Sequence, residues 1–319
     1  MTSSVPPTLP APRGRLHHGR FHVGGRIRPA APHAFALERF NVNPVAIPAA
    51  PSETTFRTRA ASVLGTCWAN GPSNACPPSG VTVGDCTSEA GYHGIAFRQG
   101  IAGTTPFMPT ADQVLATYER DSGYQYGNAS TDSGADEVTV LTNAVVKGYA
   151  NGDRVTAFLS VDPTNVPLRR SISALFGGLM ICLETPENLI AAVPGDAQAN
   201  GTFADPICTW GTGTPDPTAG HCVFGSDLAP SGQIVDSWGM PILFTDDGIA
   251  ELAAPANGGG CYVLLDTDVL VVAIQTAPGA LDYRALVTTW DAEGGNVPVP
   301  GQPAQTWLQI IEAALGRVL

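Results

Sequence analysis

Lysine is almost missing from this chain. Lys147 is the only one in 319 residues, and arginine supplies every other basic side chain. Charged residues make up just 14% of the sequence and aromatic residues 7%. No apolar run is long enough to cross a bilayer, which argues against a membrane-spanning helix. No Cys-x-x-Cys pair occurs among the seven cysteines, so a zinc ribbon is not expected. The first residues lack the apolar segment of a secretory signal, so none is expected there. Low charge does not mean disorder here. Hydrophobic residues reach 44%, enough to build a core.

Glycine and proline, by contrast, are plentiful. The 36 glycines and 28 prolines predict many turns, long loops and short elements. The formal net charge of −12 is unevenly spread. Residues 1–60 hold eight arginines against Glu38 and Glu53, while the remainder carries 8 basic and 26 acidic side chains. An acidic body repels nucleic acid, so nucleic acid is not an expected partner.

Residues 1–55 combine nine prolines and six arginines with no periodic apolar face. They read as an extended basic arm that cannot fold alone. Their isolated apolar residues, such as Leu16, Phe21, Val23 and Ile27, suit separate small pockets. The arginines suit acidic patches. The arm is therefore expected to run over other protein subunits of an assembly, not into a cleft of its own body.

The body, residues 56–319, reads as helix-rich over 56–184 and strand-rich over 185–290, with an amphipathic helix at 304–318. Helices are expected from Asp85 to about Gly100, at Thr110–Tyr118, at Asp136–Lys147 and at Pro163–Phe176. Strands are expected at 82–84, 154–161, 179–183, 219–225, 232–238, 240–244 and 260–265, with a long loop over 185–217. The sum is an α+β protein with a cleft between a helical half and an antiparallel β half.

Three segments carry candidate chemistry: Val83-Gly84-Asp85-Cys86-Thr87, Gly220-His221-Cys222-Val223 and Val235-Asp236-Ser237-Trp238-Gly239. Cys86 stands where a helix begins, and helix N-terminal amides favour a thiolate. His221, on a strand of the other half, suits the base that takes the thiol proton. Asp236, on the next strand of a hairpin, suits the group that orients the imidazole. Trp238 suits a cover that keeps water from the His–acid bond, while Asp85 adds a negative charge that opposes the thiolate. The plain alternatives are a buried structural cysteine, a hydrogen-bonded strand histidine and a turn-capping aspartate. His93 lies two turns along the helix from Cys86, too far to serve as its base, and suits packing or hydrogen bonding. Cys67 with Cys76 is a candidate disulfide, and Cys208 with Cys222 a weaker one. No metal site and no cofactor are expected.

These motifs resemble the papain-like cysteine peptidases. In that family a Cys opens the central helix, a His follows about 130–150 residues later, and an Asn-Ser-Trp-Gly motif closes the site. Here Asp236-Ser237-Trp238-Gly239 stands in that place. Gly84-Asp85-Cys86 with His93 is more narrowly similar to a divergent group found in phage and prophage genomes. The resemblance covers roughly residues 80–290 and leaves out the arm. It implies a Cys86/His221/Asp236 triad acting on peptide or amide bonds. The family's Gln six residues before the Cys, an oxyanion donor, is replaced by Gly80. Losing one such donor costs about 10²–10³ in rate. Two readings follow. One is a papain-fold protein of a phage particle that retains cysteine peptidase or amide hydrolase activity. The other is an inactive papain-fold capsid, neck or tail protein tethered by its arm. The location implied is the virion, or otherwise the cytoplasm.

Overall fold

The computed structural model describes residues 15–17, 21–23, 26–27, 49–63, 83–155, 157–194, 205–266, 268–269 and 272. The expected helix at 304–318, together with Cys67, Cys76 and Gly80, lies outside these residues.

The arm contains short strands that its composition did not announce. β1 (Arg15–His17) pairs antiparallel with β2 (Phe21–Val23), and β3 (Arg26–Ile27) pairs in parallel with β4 (Ala135–Asp136) of the body. At this point the arm lies on its own chain. Its last residues are also tied down. Asp227 accepts from the Thr54 hydroxyl at 2.6 Å and from the Phe56 and Arg57 amides at 2.8 and 2.9 Å. It thereby holds the start of the short helix α1 (Phe56–Arg59).

Helices of the first half form where their caps place them. α2 is Cys86–Ile101 and α3 is Ala111–Ser122. The hydroxyl of Thr110 accepts from the Gln113 amide, and the Gln113 side chain answers the Thr110 amide, a capping box. α4 (Glu137–Val146) starts on Asp136, whose carboxylate accepts from Thr139 N at 2.7 Å. α5 (Val166–Phe176) follows β5 (Ala157–Val161) and starts on Asn165. It ends on Gly177 at φ 69°, a left-handed residue that closes a helix without strain. Each matches an expected helix within a few residues. Residues 83–85 form no strand; they lead directly into α2.

The second half departs further. The expected loop 185–217 holds α6 (Glu187–Ala192) and β7 (Thr209–Trp210), after β6 (Leu179–Glu184). β8 (Gly220–Ala229), β9 (Gly232–Ser237) and β10 (Met240–Thr245) run as expected, and α7 (Asp246–Leu252) precedes β11 (Gly260–Leu265). α7 was not anticipated. Its signal is Thr245, whose hydroxyl accepts from the Gly248 amide at 3.1 Å.

One seven-stranded sheet runs in the order β5-β11-β6-β8-β9-β10-β7, antiparallel except for β7 beside β10. β5 and β6 from the helix-rich half thus enter the same sheet as the later strands. Both faces of the sheet are covered. Leu179, Ile181, Leu183, Val223, Val235 and Val263 face a core shared with α5, α6 and α7. Met180, Cys182, Cys222, Phe224 and Leu264 face a second core under α2. Two-sided burial explains why β6 reads as a continuous apolar run and not as an alternation. α2 approaches β8 closely through Gly94, where an added Cβ would come within 3.1 Å of the Phe224 ring.

Candidate functional site

The site forms where the start of α2 meets β8 and β9. Cys86 is the first residue of α2 and is 1% exposed. The approach to it is held by Asp132, whose two carboxylate oxygens accept from the Gly84 amide at 3.1 Å each. Tyr118 donates its hydroxyl to the same carboxylate at 2.5 Å and accepts from the Gly134 amide. Asp85 occupies the helix N-cap position and is buried, but its side chain makes no capping bond.

The Cys86 thiol is pushed well above its ordinary range. Burial is the largest cause and the Asp85 carboxylate the next; the Cys222 backbone amide, which faces the sulfur, pulls the other way. The expected lowering by the helix N-terminus is overcome by these two effects. Asp85 itself is held well above the usual carboxylate range, by burial and then by Glu89. Both effects disfavour the thiolate at Cys86.

The amide facing Cys86 belongs to the residue that follows His221, so the start of α2 sits beside the strand that carries the histidine. His221 is 2% exposed, and its Nε2 lies 2.9 Å from the Ser237 hydroxyl. Its ring stacks on the Trp238 indole, with centroids 4.7 Å apart and planes inclined by 13°. Trp210 meets both rings edge-on, at 6.4 Å from His221 and 5.9 Å from Trp238. Trp238 therefore covers the His221 ring, whereas the His221–Asp236 bond that it was expected to cover is replaced by the His221–Ser237 contact.

The turn that places this indole is unusual. Trp238 has φ 51° and Gly239 has φ 67°, and they alone separate Ser237 from its strand partner Met240. Positive φ at both central residues is the two-residue hairpin geometry that matches strand twist. A bulky side chain in that region costs about 1 kcal/mol, and here it buys the stack on His221.

Asp236 does not orient His221. Its Oδ2 lies 3.1 Å from His93 Nε2, and both side chains are buried. The physical reason is strand alternation. Asp236 pairs with Phe224 on the face of the sheet that α2 covers, whereas Ser237 points to the opposite side, where it reaches His221. His93 thus takes the contact with Asp236, and Ser237 the contact with the imidazole. Sequence reasoning missed Ser237, although it lies inside the quoted motif. It also missed Glu89, one turn beyond Cys86 on α2. Burial raises Glu89 to about 7, against the opposing pull of His93. Its spacing of three from Cys86 was the available signal.

The cysteines pair differently from expectation. Cys208 and Cys222 are both free thiols. Cys208 packs against the core under α5 to α7, while Cys222 lies in the core under α2, so the sheet separates them. Cys222 instead faces Cys182, its direct partner across β8 and β6, with sulfurs 2.9 Å apart. Among the described residues, no group of three or more His, Cys, Asp or Glu side chains is arranged to hold a metal ion. None of the described helices is long and apolar enough to cross a membrane.

No protein-family model and no curated protein matches the sequence. Solved structures do. The chain is similar to xylellain, a cysteine protease from Xylella fastidiosa, with a TM-score of 0.51 and 12% identity over 77% of this chain and 97% of that one. It is also similar to procathepsin B S9 from Trypanosoma congolense, with a TM-score of 0.45 and 12% identity over 75% of this chain and 83% of that one. Digestive procathepsin L2 from the larval midgut of Tenebrio molitor gives 0.46 and 13% over 78% and 79%. With a helix opened by Cys86 packed on a largely antiparallel sheet, the chain has the papain-like α+β fold.

Proposed function

We infer that this protein is a cysteine hydrolase of peptide or amide bonds, with Cys86 as nucleophile and His221 as base. What supports this reading is the papain-like fold, with Cys86 opening α2 beside the strand that carries His221. Alternation along β8 turns the imidazole to the face away from α2, so the reading requires β8 to rearrange before base and thiol meet. Ser237 holds Nε2 of the imidazole on the face away from α2, and in the rearranged state the thiol proton passes to Nδ1. The sulfur then attacks the carbonyl carbon, and the Cys86 backbone N–H is a donor for the oxyanion. His221 returns the proton to the leaving amine. Water hydrolyses the thioester and regenerates the thiol. Because burial and Asp85 disfavour a resting thiolate, the nucleophile is generated with substrate in place and is not stored.

A second reading is favoured by one contact. Asp236 is engaged by His93 and not by His221. That arrangement fits a papain-fold component of a phage particle, held by residues 1–55, whose chemistry is lost. The two readings separate on a single assay. The full chain is incubated with a fluorogenic peptide library beside Cys86→Ala and His221→Ala. Turnover abolished by both substitutions supports the hydrolase. Equal fluorescence from all three proteins supports the structural component.

A further inference from the structure

Cys182 and Cys222 are directly opposed on β6 and β8, two inner strands of the sheet. Their sulfurs are 2.9 Å apart, and the two residues are 0% and 3% exposed. Directly opposed residues of an antiparallel pair have Cα atoms about 4.5–5.5 Å apart, inside the span of about 4.4–6.8 Å that a disulfide bridges. The sulfurs need approach by less than 1 Å to reach the bond length of about 2.05 Å. Cys86 lies on the same face, at the start of α2, but is not a strand partner of either residue. Cys208 lies on the other side of the sheet, and the Cys261 side chain points into that same far core.

We propose that Cys182 and Cys222 form a cross-strand disulfide that pins β6 to β8 beneath Cys86. The oxidant is a small-molecule disulfide such as glutathione disulfide. One protein thiolate attacks it and releases one reduced glutathione. The second protein thiolate then attacks the mixed disulfide and releases the other. Two thiols are oxidised, one disulfide is reduced, and the two thiol protons end on the two released glutathiones. Burial raises the Cys222 thiol well above its ordinary range, so exchange is slow in the folded protein. The bond therefore closes as the sheet forms, and the same burial then shields it from reductants. This proposal is independent of the hydrolase reading, because it needs neither Cys86 nor His221 to react.

The test uses the full chain, refolded from urea in reduced plus oxidised glutathione, with a folded sample incubated in the same buffer. Free thiols are alkylated and unreduced peptides are mapped by mass spectrometry. The expected result is one linked pair joining the peptides of Cys182 and Cys222, lost on treatment with dithiothreitol. The oxidised protein is expected to melt at a higher temperature than the reduced one. Cys182→Ser leaves Cys222 alkylated and removes the linked pair. Recovery of both cysteines as alkylated thiols in the folded and refolded samples alike overturns the proposal. So does a link from Cys222 to any cysteine other than Cys182.

Discussion

The Oδ2 atom of Asp236 stands 3.1 Å from Nε2 of His93, a contact between β9 and α2 with both partners buried. Removing one member leaves a buried polar group without this partner, which costs about 1–3 kcal/mol. His93→Ala is therefore expected to lower the unfolding free energy, read from the urea midpoint at unchanged slope, by an amount of that order. A change under about 0.5 kcal/mol would show that the pair does not hold α2 to the sheet.

Glu89 lies on the same face of α2 and gives the fold a pH dependence. Burial raises its carboxyl from 4.5 in the unfolded chain to about 7 in the folded one. Between these values the folded state binds a proton that the unfolded state has released. Stability contributed by this group is thus full below about pH 4.5 and is lost as pH rises towards 7. Glu89→Gln is expected to flatten this part of the curve, by an amount on the order of a few kcal/mol. Denaturant midpoints of both proteins from pH 4 to pH 8, as a working range, check the sign. A stability that climbs with pH in both would contradict it.

Asp85 opposes the Cys86 thiolate. Asp85→Asn removes the ionised form of that group without shortening the side chain. Alkylation of Cys86 by iodoacetamide at alkaline pH, where burial no longer keeps Asp85 protonated, is expected to quicken about tenfold, the effect of one pKa unit. An unchanged rate would mean that burial alone sets the thiol.

The clamp at Asp132 positions the same sulfur from the other side. Its carboxylate accepts from the Gly84 amide and from Tyr118. Asp132→Ala strands a buried amide and a buried hydroxyl, at about 1–3 kcal/mol each. Tyr118→Phe removes one donor only and is expected to cost less. Thermal melts of the two variants in the reverse order would refute the clamp.

Much of this architecture was legible because its signals are local. Thr110 with Gln113, Asp136 and Gly177 mark helix ends by their own hydrogen bonds and dihedral angles, and the structure places ends there. α6, β7 and α7 were not legible as a group, because Gly- and Pro-rich surroundings mask short elements held by packing. Within the site, the Cys, His and acid motifs identify the elements that meet but not the contacts between them. The side on which Asp236 and Ser237 leave β9 depends on register with β8, which the sequence does not state. The facing of Cys182 and Cys222 depends on the pairing of β6 with β8, strands 40 residues apart in this respect. The β3–β4 contact was hidden for the same reason, since two residues carry no period.

The most direct measurement is active-site labelling of the full chain with a peptidyl epoxide, read by peptide mass spectrometry. Cys86 as a nucleophile served by His221 predicts stoichiometric modification at Cys86. It also predicts that His221→Ala removes that labelling, while the half-buried Cys208 stays as reactive as in the unsubstituted protein. Labelling of Cys208 with none at Cys86, or labelling of Cys86 that persists in His221→Ala, would contradict the account.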